Sequence, residues 1–368
     1  MRMFQSSAIG IVGLALVALI TIAGCGDVRF TTESKFTAAS SSPEIIAGGA
    51  EAPNPAQRLT GLHTREAESQ ENIAPRTVTP GRRICPAEGC APPRVFPIVT
   101  CGYQFTTLDF PGATRTITNG LNTTGTIVGS FNVGSGPSHG LMLQNGGFTQ
   151  LDVPGALNTF IVGVNDRGQM SGFYNTSSSA GFHGFLLSDS QFTTIDFPGA
   201  TSTEAMKINS FGEITGLYVD SAGAGHGYTL SDGTLTSFDI PGAASTFGAG
   251  INAAGDTSGD YYDGNGGDFG FLLTKQGLFT EINFPGSVAT VPEALDDLEE
   301  VSGLYQTATN EVHGFVWRAG VFFTLDPPGS VDTRIRGSNA EGELVGRFTD
   351  STGVIHGFLA ALSCGAGS

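Results

Sequence analysis

Five histidines, His139, His183, His226, His313 and His356, share one setting: His, then Gly, then an aromatic residue or Leu. The first four are each followed thirteen residues later by an aspartate, namely Asp152, Asp196, Asp239 and Asp326. Imidazole and carboxylate at fixed spacing are the materials of a metal centre, of acid–base work, or of a structural hydrogen bond. Each pair belongs to a different copy of one repeat, which keeps the histidines far apart. The structural pair is therefore the expectation, and no metal centre is. Other ionisable residues fall between the repeated motifs: Asp220, Asp260, Asp263, Asp268 and Asp350 in one set of connections, Glu204, Arg115, Asp332 and Arg334 in another. Loops of this kind carry function when a rigid scaffold presents them on one face. The run Asp263-Gly264-Asn265-Gly266-Gly267-Asp268 has a spacing of oxygens that suits calcium, without a true EF-hand pattern. No other cofactor is called for. Nucleophile elbow, phosphate-cradling loop and zincin helix are all missing from the sequence.

The scaffold behind these residues is a tandem repeat. Phe192-Thr193-Thr194-Ile195-Asp196-Phe197-Pro198-Gly199 recurs with small edits at 105–112, 148–155, 235–242, 279–286 and 322–329. Its prolines, Pro111, Pro154, Pro198, Pro241, Pro285 and Pro328, are spaced by 43 or 44 residues. A step that regular marks stacked supersecondary units. Within one unit, apolar alternation and Gly/Asn/Asp turns predict four strands: Phe160 to Asn165, Met170 to Tyr174, His183 to Leu187 and Phe192 to Phe197. Four strands in each of six repeats predict an all-β fold, a six-bladed β-propeller of four-stranded blades.

Ring closure and register follow from the order of the pieces. The repeat region opens on a lone fourth strand, Phe105 to Phe110, and ends on a lone third strand, His356 to Ala360. Six complete blades require these two to pair, which also removes free sheet edges. A two-residue turn at Asp232-Gly233 sets His226 opposite Asp239, and the same rule joins the other pairs. Across the closure it sets His356 opposite Asp109 and Cys364 opposite Cys101. One repeat lacks both partners, carrying Phe269 and Asn283 instead. Loss of both together is what a direct contact predicts.

Composition bounds the rest. The chain has 368 residues, 54 Gly and a formal charge of −17. Residues 26–100 hold eight basic and eight acidic side chains, whereas 101–368 hold eight basic and 26 acidic. That negative field repels phosphate backbones and argues against a nucleic-acid partner. Residues 1–25 carry an apolar run from Ile9 to Ile22 that ends Ile22-Ala23-Gly24-Cys25, too short to span a bilayer and suited to a secretory signal. Residues 26–100 read as a disordered tether rich in Ser, Ala, Glu, Pro and Thr, with a small loop at Cys85 and Cys90. In an exported chain those two cysteines are expected to form a disulfide, as are Cys101 and Cys364, although four cysteines allow three pairings. The repeat domain is 101–368.

Two resemblances join this reading. Ile22-Ala23-Gly24-Cys25 resembles the lipobox of bacterial lipoproteins, which implies acylation of Cys25 and anchoring to the cell envelope. Gly26, not Asp, follows Cys25, and by that analogy an outer-membrane or surface destination is expected. The His-Gly-aromatic tripeptides, with Ile-Asn-x-x-Gly-x-Ile-x-Gly-x-Tyr before them, resemble the bacterial extracellular repeats named for a His-Ala-Phe (HAF) tripeptide. That resemblance spans about 105–360, implies export and a repeat-built β fold, and carries no activity. Its Asp-x-Pro-Gly departs from the commoner pattern of those repeats. The expectation is a monomeric, lipid-anchored binding or scaffold module for an extracellular glycan or protein, touching the membrane only through its lipid. The alternative is a carbohydrate-active hydrolase or lyase working at the mouth of the central channel. Two carboxylates in a cleft on that face are the feature that favours the enzyme.

Overall fold

The structure, a computed structural model, is described for residues 99–366. The leader, Cys25, the tether, Cys85 and Cys90 lie outside the described residues. All described regular elements are strands. The first, β1 (Val99–Leu108), precedes a unit of β2 (Arg115–Leu121), β3 (Ile127–Asn132), β4 (Ser138–Gln144) and β5 (Gly147–Gln150). The second unit is β6 (Asn158–Val164), β7 (Met170–Asn175), β8 (His183–Ser188) and β9 (Gln191–Ile195). The third is β10 (Ser202–Ile208), β11 (Ile214–Val219), β12 (Gly225–Ser231) and β13 (Thr234–Phe238). The fourth is β14 (Ser245–Ile251), β15 (Thr257–Tyr262), β16 (Asp268–Leu273) and β17 (Phe279–Ile282). The fifth is β18 (Ala289–Leu295), β19 (Val301–Gln306), β20 (Val312–Arg318) and β21 (Val321–Thr324). Last come β22 (Ser330–Ser338), β23 (Leu344–Asp350) and β24 (Ile355–Ala366), and β24 pairs with β1.

Within each unit the strands pair antiparallel in chain order. The hairpin register is the one that the two-residue turns require, with Gly227 opposite Phe238 and Gly184 opposite Ile195. Asp232 and Gly233 both have positive φ, 49° and 76°, as the tight hairpin turn demands.

The Pro-Gly motif is a turn with a defined job. Gly199 has φ 82° and the Ala200 amide donates to the Phe197 carbonyl at 3.1 Å, a type II turn with Pro before Gly. The chain then enters the first strand of the next unit, where a buried threonine accepts from the turn: Phe197 N to Thr203 Oγ1, 3.0 Å. The same bond recurs at Thr116, Thr159, Thr246 and Thr290. At Thr333 the corresponding residue is Pro327, which has no N–H, and the hydroxyl donates to Ser330 Oγ instead.

Each first strand contacts the first strand of the next unit, and β22 contacts β2. A bulge in every first strand brings one tier of residues against its neighbour: Gly120, Gly163, Lys207, Gly250, Ala294 and Gly337. Lys207 breaks this tier of small residues. Its ammonium donates to the Asn119 and Val162 carbonyls at 2.8 and 3.0 Å, and burial pushes its pKa down to about 7.

The core lies between units. Phe185, Tyr228, Phe271, Phe315 and Phe358, two residues after His or its replacement, are fully buried, as is Leu141. The glycine between has no room for a side chain: a Cβ on Gly140 would meet the Leu151 carbonyl and Ile161. The His-Gly-aromatic tripeptide is thus a packing motif, and each buried aromatic stabilises by about 1.5–3 kcal/mol.

Candidate functional site

The repeat histidines face their aspartates. Nδ1 lies 2.8 Å from the carboxylate in His139–Asp152, His313–Asp326 and His356–Asp109, and 2.9 Å in His183–Asp196 and His226–Asp239. A carboxylate only accepts, so Nδ1 carries the proton in each. Every ring also lies against an aromatic ring on the strand before it, as Tyr218 lies 4.9 Å from His226 and Phe348 lies 5.1 Å from His356. In the odd unit Tyr261 lies against Phe269, and Asn283 Oδ1 accepts from the Gly270 amide at 3.2 Å. That bond has the same place as Gly140 N to Asp152 Oδ1. These residues are spread over separate units. Among the described residues no group of three or more His, Cys, Asp or Glu converges on a metal position.

Three of the candidate aspartates are engaged in turns: Asp220 and Asp263 lie in loops, whereas Asp350 is the last residue of β23 and not a loop residue as expected. Asp220 Oδ1 accepts from the Ala222 and Ala224 amides, and Asp263 Oδ1 from Asn265 and Gly267. Asp350 accepts from the Thr352 hydroxyl and the Val354 amide, bonds that hold its pKa down to about 2. Asp220 and Asp350 also approach the Nε2 atoms of His226 and His356 at 3.5 and 3.4 Å. They shape turns.

Asp260, Asp268 and Arg334 need a correction of place, because they lie on strands and not in loops. Asp260 is on β15, Asp268 opens β16, and Arg334 is on β22; Glu204, Arg115 and Asp332 are likewise in strands β10, β2 and β22. The loop reading came from their flanking Gly, Asp and Ser residues. In the ladder, Asp260 opposes Gly270 and Asp268 opposes Tyr262. The pleat puts the two carboxyls on one face of the sheet.

That placement assembles the site. A cavity of about 570 Å³ is lined by Glu204, Phe247, Asp260, Tyr262, Asp268 and Glu293 together with Arg334 and Arg336. Burial raises Glu204 to about 7. Burial raises Asp260 well above the carboxylate range, and the Asp268 and Glu293 charges add to the rise. Asp268 is raised by burial too, so both carboxyls favour the protonated form more than exposed aspartates do. Burial followed by the Asp268 and Asp260 charges lifts the Tyr262 phenol to about 12. The same cavity is lined by two guanidiniums: Arg336 Nη1 lies 3.2 Å from Glu293 Oε2, and Arg334 Nη2 lies 3.4 Å from Asp332 Oδ2. The carboxyls can accept or share protons, and the guanidiniums donate hydrogen bonds.

Glu293 and Arg336 were not legible as site residues from motif spacing. Superposing the repeats exposes the signal. Asp260 and Arg347 occupy the position that holds Ser130, Phe173, Leu217 and Leu304 in the other units, each opposite the same glycine. Ionisable residues at an otherwise uncharged repeat position mark departures from pure scaffold.

The described part of β24 carries Cys364, which is disulfide-bonded. Cys101 lies on the adjacent β1, and its side chain lies outside the described residues.

No family model matches the chain, and no relative among curated proteins matches it. Solved structures of similar fold include an Aleuria aurantia lectin mutant in complex with Fucα1-6GlcNAc, 12% identical with a TM-score of 0.46 over 69% of this chain and 95% of that one. AofleA from Arthrobotrys oligospora is 10% identical with a TM-score of 0.47, covering 73% of this chain and 90% of its own. The β-propeller domain of the Trilobed protease from Pyrococcus furiosus is 8% identical with a TM-score of 0.42, covering 67% and 95%. The likeness is one of β architecture, and no ligand or residue role passes across it.

Proposed function

We propose that this protein is a glycan-binding module of the cell envelope, with its site in the cavity between Asp260, Asp268 and Glu204 on one side and Arg334 and Arg336 on the other. The observation that carries the reading is the lining itself. Carboxyls and guanidiniums take sugar hydroxyls in pairs, while Phe247 and Tyr262 add aromatic surface suited to the sugar's C–H groups. In this reading the six four-stranded units are the blades of a propeller closed by β1 on β24. Cys101–Cys364 then staples the ring and Cys85–Cys90 forms a small loop before it. The ring staple would be worth about 4–5 kcal/mol in the loop-entropy model. Acylated Cys25 and the tether hold a monomeric domain of the extracellular repeat type clear of the outer surface. No cofactor is invoked. A glycan-array screen on the full chain, run alongside a polysaccharide-digestion assay, tests the reading. Saccharide binding without product formation is expected, and a blank array overturns it. Incorporation of a palmitate analogue that is lost in Cys25→Ser tests the anchor.

A second reading, a hydrolase or lyase, is favoured by one observation: the ladder brings the Asp260 and Asp268 carboxyls to one face of the sheet, in the same cavity as Glu204, and burial raises all three. In that case new reducing ends or unsaturated products appear in the digestion assay and disappear in Glu204→Gln and Asp260→Asn.

A further inference from the structure

Residues 101–368 contain only eight basic side chains against 26 acidic ones. Four of the eight gather at one place: Arg115 on β2, Arg334 and Arg336 on β22, and Arg347 on β23. Arg334 stands directly opposite Arg347 in the strand ladder, a like-charge juxtaposition that ordinarily destabilises a sheet. Burial followed by the Arg336 and Arg334 charges lowers the pKa of Arg115, and burial followed by Arg334 lowers Arg347 to about 10.

The carboxylates at hand are too few to balance them. Asp332 is shared between Arg334 and Arg347, each at 3.4 Å, and Glu293 takes Arg336. Arg115 makes no ion pair among the described residues. Two donors in the cluster, Arg115 Nε and Arg336 Nε, are buried with no acceptor among the described residues. Buried donors left unmatched are costly, and within ion-pair distance these four guanidiniums meet only two carboxylates among the described residues. Arg334 and Arg336 bring this cluster to the lining of the 570 Å³ cavity, which Asp260 and Asp268 also line, while Arg115 and Arg347 stand behind them. A neutral sugar needs hydroxyl partners and gives no reason for concentrated positive charge.

Resting on the glycan reading above, we infer that the ligand is an acidic saccharide whose anionic substituent, carboxylate or sulfate, docks on the arginine wall while its hydroxyls face the carboxyl wall. The carboxyl wall sets the orientation, because an anion there meets Glu204 and the Asp260–Asp268 pair. A cavity of this volume accommodates a short oligosaccharide segment.

The test is a calorimetric titration of the full chain in detergent with three short oligosaccharides: a uronate, its carboxyl-reduced neutral counterpart, and a sulfated neutral one. At least one anionic saccharide should bind about tenfold or more tightly than the neutral one, and the tighter of the two identifies the substituent. Arg334→Gln should cut that preference about tenfold, and Arg115→Gln about threefold. Neither substitution strands a carboxylate: Arg347 still pairs with Asp332, and Arg115 has no ion-pair partner to leave. Circular dichroism checks that both variants fold. Equal affinity for charged and neutral saccharides in the unsubstituted protein overturns the anion assignment and leaves the glycan reading standing. So does a preference that persists undiminished in both variants. Absence of binding to all three, with no saccharide bound on the array, overturns both.

Discussion

His356 Nδ1 and Asp109 Oδ2, 247 residues apart in the chain, lie 2.8 Å from one another on β24 and at the end of β1. The same pair occurs within single repeats elsewhere, and here it joins the first and last strands of the repeat region. Burial works against the charged imidazole, but the hydrogen bond and charge of Asp109, with those of Asp350, raise the pKa of His356 above its ordinary value. A histidine whose folded pKa is raised contributes stability that is fully present below the unfolded pKa of about 6.5. That contribution is lost as pH rises through the folded value. Denaturant titrations should therefore show stability falling above about pH 6.5, with the fall reduced in His356→Phe. Because the pair is partly solvated, the loss should be about 1 kcal/mol or less. Equal pH slopes in the two proteins would contradict the assignment.

The fourth unit offers a gain-of-pair experiment. Phe269 and Asn283 occupy the positions of His and Asp, and Asn283 already accepts from Gly270 as the aspartates do. The double variant Phe269→His/Asn283→Asp should be more stable than the sum of its single changes by about 0.5–1 kcal/mol. A double-mutant cycle by thermal melting measures this. A coupling of zero would show that the imidazole packs without bonding.

Asp296 sits where other units place an asparagine. Asn122, Asn165 and Asn209 each donate from Nδ2 to the main-chain carbonyl of the asparagine in the next unit, and Asn339 donates back to Asn122 O at 3.3 Å. An ionised aspartate has no proton to donate. Burial raises Asp296 to about 6, against hydrogen bonding from the Leu298 amide. A raised acid contributes stability at low pH that is lost as pH rises through the folded value. Asp296→Asn should therefore raise Tm at pH 8 more than at pH 5, by about 1–2 kcal/mol in stability. Melts at the two pH values decide it.

Glu204 carries a related cost inside the cavity. Its burial favours the protonated form up to about pH 7, whereas the unfolded chain ionises near pH 4.5. Stability should fall between these values, and Glu204→Gln should remove up to about 3 kcal/mol of that fall. If ligand binding uses the carboxyl, the same variant loses affinity while gaining stability. An affinity unchanged by the substitution would place Glu204 outside the binding site.

Much of the architecture was legible in the chain because repetition makes local rules redundant. Pro198-Gly199 declares a type II turn, Asp232-Gly233 declares a tight hairpin, and simple addition across that hairpin places His226 opposite Asp239. These are short-range consequences of φ preference and the two-residue pleat, so the sequence alone decides them. Glycine at 140 or 184 likewise answers to a neighbouring strand at a predictable offset. The cavity was a different matter. Asp260 and Asp268 read as loop residues because Gly and Asp surround them, and only the ladder shows that both carboxyls share one face. Arg115, Arg334, Arg336 and Arg347 come from two ends of the repeat region, and no spacing relates them. Their meeting depends on β22 lying against β2 and on burial that raises acids and lowers bases according to what lies nearby. Sequence determines which strands form and how neighbours along the chain pair. Only the tertiary structure decides which charges meet in low dielectric, because electrostatic environment is a property of distance in space and not of distance along the chain.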